Sequence, residues 1–94
     1  MKSKFSIGEV AKIHNITVEA LRHYDRVGLL KPSYINSSTG YRYYSAKDFI
    51  ILDLIKQCKA MGLSLNEIKN IIENYKIRYF TNKDLKMRDH FKVF

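Results

Sequence analysis

Two groups of side chains in this sequence have the types needed to hold a polyanion. Thr17, Glu19, Arg22, His23 and Tyr24 fall close together, Tyr41, Arg42 and Tyr43 follow further on, and Lys59 stands apart. A guanidinium such as that of Arg22 can grip a phosphate or reach guanine O6 and N7, and a glutamate such as Glu19 can accept from a cytosine amino group. Hydroxyls of Thr17, Tyr24, Tyr41 and Tyr43 and the ring N–H of His23 can donate to phosphate oxygens.

Each of these residues also has a plainer use. Arg22 can pair with Asp25 or Glu19 on adjacent helical turns. Glu19 can simply sit in a first turn, where the helix dipole favours an acid, and Thr17 can simply cap a helix. His23 and Tyr24 can pack against a neighbouring hairpin, and Lys59 can be a solvated surface lysine. Of the tyrosines that alternate after the turn, at least one of Tyr43 and Tyr44 must face the core. Arg42 is expected to meet phosphate.

Other chemistry has little support. No phosphate-cradling glycine loop, nucleophile motif or acid pair of suitable spacing occurs, so an enzyme is not expected. His14, His23 and His90 have no second ligand at i+3 or i+4, so neither a metal site nor a cofactor is expected. The lone Cys58 lies on an apolar stripe and reads as a small buried hydrophobe; with one cysteine there is no intramolecular disulfide.

Seventeen Lys and Arg against nine Asp and Glu leave a net charge of +8, a field that attracts polyanions before any specific contact forms. Nucleic acid heads the partners this field suits, although membrane surfaces and acidic proteins would feel it too. The longest apolar run, Phe49 to Leu52, is far below the ~20 residues a membrane span requires, and a cytoplasmic location is expected. At 94 residues the chain is one thin-cored domain, and 46% apolar residues with a single proline argue that it folds.

The elements that must position these residues are legible from their start signals. Ser6-Ile-Gly-Glu9, Ser45-Ala-Lys-Asp48 and Ser64-Leu-Asn-Glu67 each place a hydroxyl at an N-cap and a carboxylate three residues on, the capping box. The first opens a helix with Ile7, Val10 and Ala11 on one face. The helix after Ser45 carries Ile51, Leu54, Ile55 and Cys58, and the one after Ser64 carries Ile68, Ile71, Ile72 and Tyr75, all at helical spacing. Met61-Gly62 joins these two, with Gly62 suited to the left-handed residue that ends a helix.

His14-Asn15-Ile16-Thr17 predicts a sharp turn, with Asn15 left-handed and Thr17 capping a short helix from Val18 to about Val27 that ends at Gly28. Val18 and Leu21 should point inward, with Glu19, Arg22, His23 and Arg26 outward. A short helix after a tight turn is the helix-turn-helix signature. Pro32 and the run Asn36 to Gly40 then predict a small β-hairpin ending in Tyr41-Arg42-Tyr43-Tyr44. Tyr75 to Phe80 could prolong the fourth helix. Beyond it, Leu85, Met87, Phe91 and Phe94 lie in what reads as the beginning of a pairing helix.

Ser6-Ile-Gly-Glu-Val-Ala-Lys12, Val18-Glu-Ala-Leu-Arg-His-Tyr-Asp25, Val27-Gly-Leu-Leu-Lys-Pro32, Gly40-Tyr-Arg-Tyr-Tyr-Ser45 and Met61-Gly-Leu-Ser-Leu-Asn-Glu-Ile68 occur in an order that resembles the MerR family of transcription regulators. The resemblance implies a mainly α, winged helix-turn-helix domain with a small β-hairpin over residues 1–75, then a linker and incomplete dimerisation helix over 76–94. It implies that the second helix enters the major groove of double-stranded DNA, and that the hairpin and the joint between helices 3 and 4, where Lys59 falls, act as wings on the phosphate backbone.

The same resemblance implies a homodimer on a palindromic promoter site, which bends and untwists DNA so that RNA polymerase sees its two promoter elements in register. An excisionase-like architectural protein that bends DNA is the alternative, but such proteins usually lack the pairing helix. Three departures from the family pattern point to a distinct site preference: His23-Tyr24 at the usual aromatic pair, Glu19 where a basic residue is frequent, and Ser33 to Thr39 without the usual wing arginine. With the fifth helix incomplete and no domain after it, effector binding is not expected within this chain.

Overall fold

The computed structural model describes residues 3–81. All three capping boxes close helices at the predicted places. Ser6 and Glu9 bond reciprocally at the start of α1 (Ile7–His14), and Ser64 and Glu67 do the same at α4 (Leu65–Lys76). At α3 (Ala46–Ala60) the Asp48 carboxylate accepts from the Ser45 N–H at 2.8 Å and from the Ser33 hydroxyl at 2.6 Å, so this cap also anchors the preceding loop.

The turn between α1 and α2 (Val18–Arg26) follows the sequence closely. Asn15 is left-handed, with φ 55°, and the Thr17 hydroxyl oxygen accepts from the Ala20 N–H at 3.0 Å. Gly28, with φ 76°, lets the chain leave α2 in a conformation an L side chain rarely adopts. Leu29 and Leu30 then drop into the core.

The hairpin forms as β2 (Tyr34–Ile35) and β3 (Arg42–Tyr44), but it is part of a three-stranded antiparallel sheet. The third strand, β1 (Phe5–Ser6), pairs with the other edge of β3, setting Phe5 opposite Tyr44 and Ser6 opposite Tyr43. The strand period puts Tyr44 inward, 1% exposed, and leaves Tyr43 half-buried.

The core gathers Val10 from α1, Leu21 and Tyr24 from α2, Tyr44 from β3, Ile51, Leu52, Ile55 and Cys58 from α3, and Ile68 and Ile72 from α4. Two expectations for the helix faces need correction. Leu52 is fully buried while Leu54 is half-buried, because α3 packs against both β3 and α4 and so buries a wider stripe than one face. Ile71 is 36% exposed, because α4 rests on the core through Ile68 and Ile72, with Tyr75 packed partly buried against it. Beyond Lys76 the chain continues as a wider, π-helical turn, Ile77–Thr81, and the Tyr75 and Tyr79 rings stack 4.7 Å apart. Leu85, Met87, Phe91 and Phe94, expected in a pairing helix, lie outside the described residues.

Candidate nucleic-acid interface

A groove of about 340 Å³ runs between the α1 N-terminus, α2 and the hairpin, lined by Ser6, Ile7, Gly8, Arg22, Gly40, Tyr41, Arg42 and Tyr43. It unites residues from both groups singled out in the sequence. Arg22 enters from α2, half-exposed, with its Nη1 3.7 Å from Glu19 Oε2, a loose surface pair that leaves the guanidinium able to turn to another partner. Tyr41 is 64% exposed on the opposite wall.

Arg42 stands differently from the free wing cation the sequence suggested. Two residues before Tyr44 on the same strand, it shares that residue's inward face, and its Nε donates to Asp25 Oδ2 at 2.9 Å. One of its five N–H donors is thereby used, and the side chain keeps 39% exposure. Asp25 is itself only 15% exposed and takes a second cation, with Lys31 Nζ 3.2 Å from Oδ1. Partial burial pushes its carboxyl upward, but the hydrogen bonds and charges of Arg42 and Lys31 outweigh that and hold it below the ordinary carboxylate value.

Tyr24 is the most deeply placed of the candidate residues. It is 4% exposed, its ring a member of the core rather than a surface contact, because position 24 falls one turn after Leu21 on the buried face of α2. Its hydroxyl accepts from Lys59 Nζ at 3.4 Å, and the same ammonium lies 5.7 Å from its ring centre. Tyr24 therefore orients Lys59, which is exposed near the end of α3. His23 is half-buried and tilted against Tyr24, and Thr17 and Glu19 are exposed at the start of α2. Thr17, capping with its oxygen, keeps its O–H to donate outward. Thr17, Glu19, His23, Tyr24 and Lys59 do not line the groove; the first four lie on or at the start of α2, and Lys59 is near the end of α3.

Several basic residues have partners that no local pattern indicated. Lys56 Nζ donates to the His14 carbonyl at 2.6 Å and Lys69 Nζ to the Val27 carbonyl at 2.9 Å, so α3 and α4 each supply a cation to the C-terminal end of a helix in the helix-turn-helix. Lys4 lies 3.9 Å above the Tyr34 ring on β2. These three cations are exposed, yet each is tied to a partner within the fold. Asp25 and Lys31 were not singled out as site residues. An acid embedded in so basic a stretch, followed by Lys31 just after the helix, was the available signal.

His14 is buried at the end of α1, with Nδ1 3.4 Å from Asp53 and its ring edge-on to Phe49, away from the groove. Cys58 is buried, as its position on the α3 stripe predicted. Among the described residues there is no group of three or more His, Cys, Asp or Glu side chains that could hold a metal ion, and no helix long and apolar enough to cross a membrane.

Helices α1 and α2 across a tight turn, flanked by a three-stranded wing, define a winged helix-turn-helix domain. The chain belongs to the MerR HTH family of regulatory proteins, whose sequence pattern matches residues 5–75; it is a family of transcription regulators, not of enzymes. Over 68 residues it is 48% identical to the multidrug-efflux transporter 1 regulator of Bacillus subtilis, covering 72% of this chain and 24% of that protein. A MerR-family transcriptional regulator from Bacillus cereus superposes with a TM-score of 0.69 at 43% identity, over 73% of this chain and 51% of the other. HiNmlR, a MerR-family regulator lacking the sensor domain and solved bound to promoter DNA, superposes with a TM-score of 0.70 at 27% identity, over 96% and 64% of the two chains. The chain spans about a quarter of the length of the first curated relatives it matches.

Proposed function

We propose that this chain binds promoter DNA sequence-specifically as a transcription regulator, with α2 in the major groove and the wing on the flanking backbone. The groove carries this reading: it sets Arg22 and Arg42, from two separate elements, on one concave surface beside the α1 N-terminus. In this arrangement Glu19 and Arg22 face base edges, Thr17 and His23 meet phosphate, and Tyr41, Arg42, Tyr43 and Lys59 grip the backbone on either side. Tyr24 acts through Lys59. That HiNmlR was solved on promoter DNA supports the choice of ligand.

The finer reading is a homodimer in the cytoplasm that holds a palindromic site and reshapes promoter DNA for RNA polymerase. Residues 1–75 serve as the DNA-binding domain, and 76–94 as a linker and dimerisation helix carrying Leu85, Met87, Phe91 and Phe94. EcmrR, a structural neighbour solved as a DNA complex in EcmrR-RPo, supports the reading that promoter DNA is bound in a transcription complex.

Selection from a pool of random duplexes with the full chain tests this. Recovery of a site with two halves related by two-fold symmetry is expected. Enrichment of no common sequence would overturn the specific-binding reading, and a single unrepeated half-site would overturn the dimer.

A further inference from the structure

The wing is rooted in the body of the domain through β3, whose Tyr44 is buried in the core and whose edge pairs with β1, but its tip and its arginine are held differently. Its turn is held by its own atoms: the Asn36 side-chain oxygen accepts from the Ser38 and Thr39 N–H groups, and the Asn36 carbonyl accepts from the Gly40 N–H. At its base, Ser33 is hydrogen-bonded to Asp48 of α3. A polar link to the recognition helix is the Asp25 carboxylate, which takes Arg42 of β3 on one oxygen and Lys31 of the connecting loop on the other. Lys31 also donates to the Asp25 carbonyl at 3.1 Å, which keeps the carboxylate and the end of α2 in one arrangement.

Asp25 lies one helical turn beyond Arg22, so the two groove arginines are connected through it, one along α2 and one across the ion pair. A guanidinium on a two- or three-residue strand has several rotatable bonds. Bound through Nε, the guanidinium is restrained while the side chain keeps 39% exposure, which reduces the entropy lost when a phosphate is gripped. A free acid beside DNA would repel it; an acid between two cations, 15% exposed, spends its charge inside the protein.

We propose that Asp25 is a positioning residue for DNA binding: its carboxylate holds Arg42 of the wing at a fixed offset from Arg22 of the recognition helix, so that both meet the same DNA backbone. This inference rests on the reading that Arg42 contacts phosphate, and it assigns to Asp25 a part in binding without contact to the ligand.

A double-mutant cycle on the full chain tests it, using fluorescence anisotropy with the labelled duplex recovered by selection, at a temperature where melting curves show every variant folded. Asp25→Asn is expected to weaken binding about tenfold, within the range found for coupled side chains in contact. It should also lower the slope of log affinity against log salt by about one, the signature of one lost phosphate contact and not of lost stability. In an Arg42→Ala background the same Asp25→Asn change should weaken nothing. Asp25→Glu, which keeps the charge, should restore most of the affinity.

If Arg42→Ala alone leaves affinity unchanged, the reading of the wing as a DNA contact fails and this inference with it. If Arg42→Ala weakens binding while Asp25→Asn does not, or Asp25→Asn weakens it equally in both backgrounds, the positioning role alone is overturned.

Discussion

The Lys69 ammonium donates to the Val27 carbonyl at 2.9 Å, joining α4 to the end of the recognition helix across 42 residues of chain. Lys56 does the same for α1 through the His14 carbonyl, so part of the positive charge is structural. Lys69→Ala should lower stability by about 0.5–1 kcal/mol, as expected for a partly screened cation at a helix C-terminus. DNA affinity at fixed folded fraction should change by less than twofold. Urea melts and anisotropy titrations of the same samples separate the two effects.

Arg22 is the opposite case. Its ion-pair partner among the described residues, Glu19, lies 3.7 Å away on the surface, a pair worth little in water. Arg22→Ala should therefore shift stability by less than about 0.5 kcal/mol, while costing about 1–3 kcal/mol of affinity for the selected duplex if the guanidinium reads a base. Competition against a shuffled duplex checks the assignment: a loss confined to the selected sequence marks a base contact, and an equal loss on both marks a phosphate contact.

Which residues the sequence could place depended on the range of the interactions involved. Capping boxes at Ser6, Ser45 and Ser64, the left-handed Asn15 and the Thr17 cap are local, and all five appear where their spacing put them. Strand β1 was invisible, because two residues have no period and their pairing partner is Tyr43-Tyr44, far along the chain. The faces of Leu52 and Ile71 depended on what α3 and α4 pack against, whereas Tyr24, one turn after Leu21, lies on the inward face that helical spacing already indicated. For the groove, residue type identified Arg22, Tyr41, Arg42 and Tyr43, but the Asp25 anchor is a tertiary fact: helical spacing offered Asp25 to Arg22, and the fold gave it to Arg42.

Tyr44 carries the alkaline prediction. Burial pushes its phenol from 10.0 up to about 12, with the nearby Asp25 charge adding to the rise, and its hydroxyl is buried without a hydrogen-bond partner among the described residues. Because the folded state holds this proton more tightly than the unfolded chain, the stability it contributes is complete below pH 10.0 and is lost as pH rises through about 12. Tyr44→Phe should flatten that decline. At neutral pH it should be neutral or stabilising, by up to about 1 kcal/mol, since it removes a polar group that burial leaves unsatisfied. A destabilised Phe variant would mean the hydroxyl is bonded in solution.

At the acid end the sign reverses. Asp25 is held below its ordinary value of 3.8 by Arg42 and Lys31 despite the opposing effect of burial. Its contribution is therefore present above that pH and lost as pH falls through the lowered value. Glu67, held down by the N–H and hydroxyl of Ser64 at the start of α4, acts in the same direction. Denaturant midpoints measured from neutral pH downward should fall less steeply for Asp25→Asn than for the wild type; an unchanged acid limb would place the ion pair outside the folding equilibrium.

Salt titration of DNA affinity, comparing the full wild-type chain with an Arg22→Ala, Arg42→Ala double variant, tests most directly whether the groove between α2 and the wing grips DNA. A steep loss of wild-type affinity with salt is expected, with the slope of log affinity against log salt reduced by about one to two in the variant. Equal affinities and equal slopes for the two proteins would contradict it.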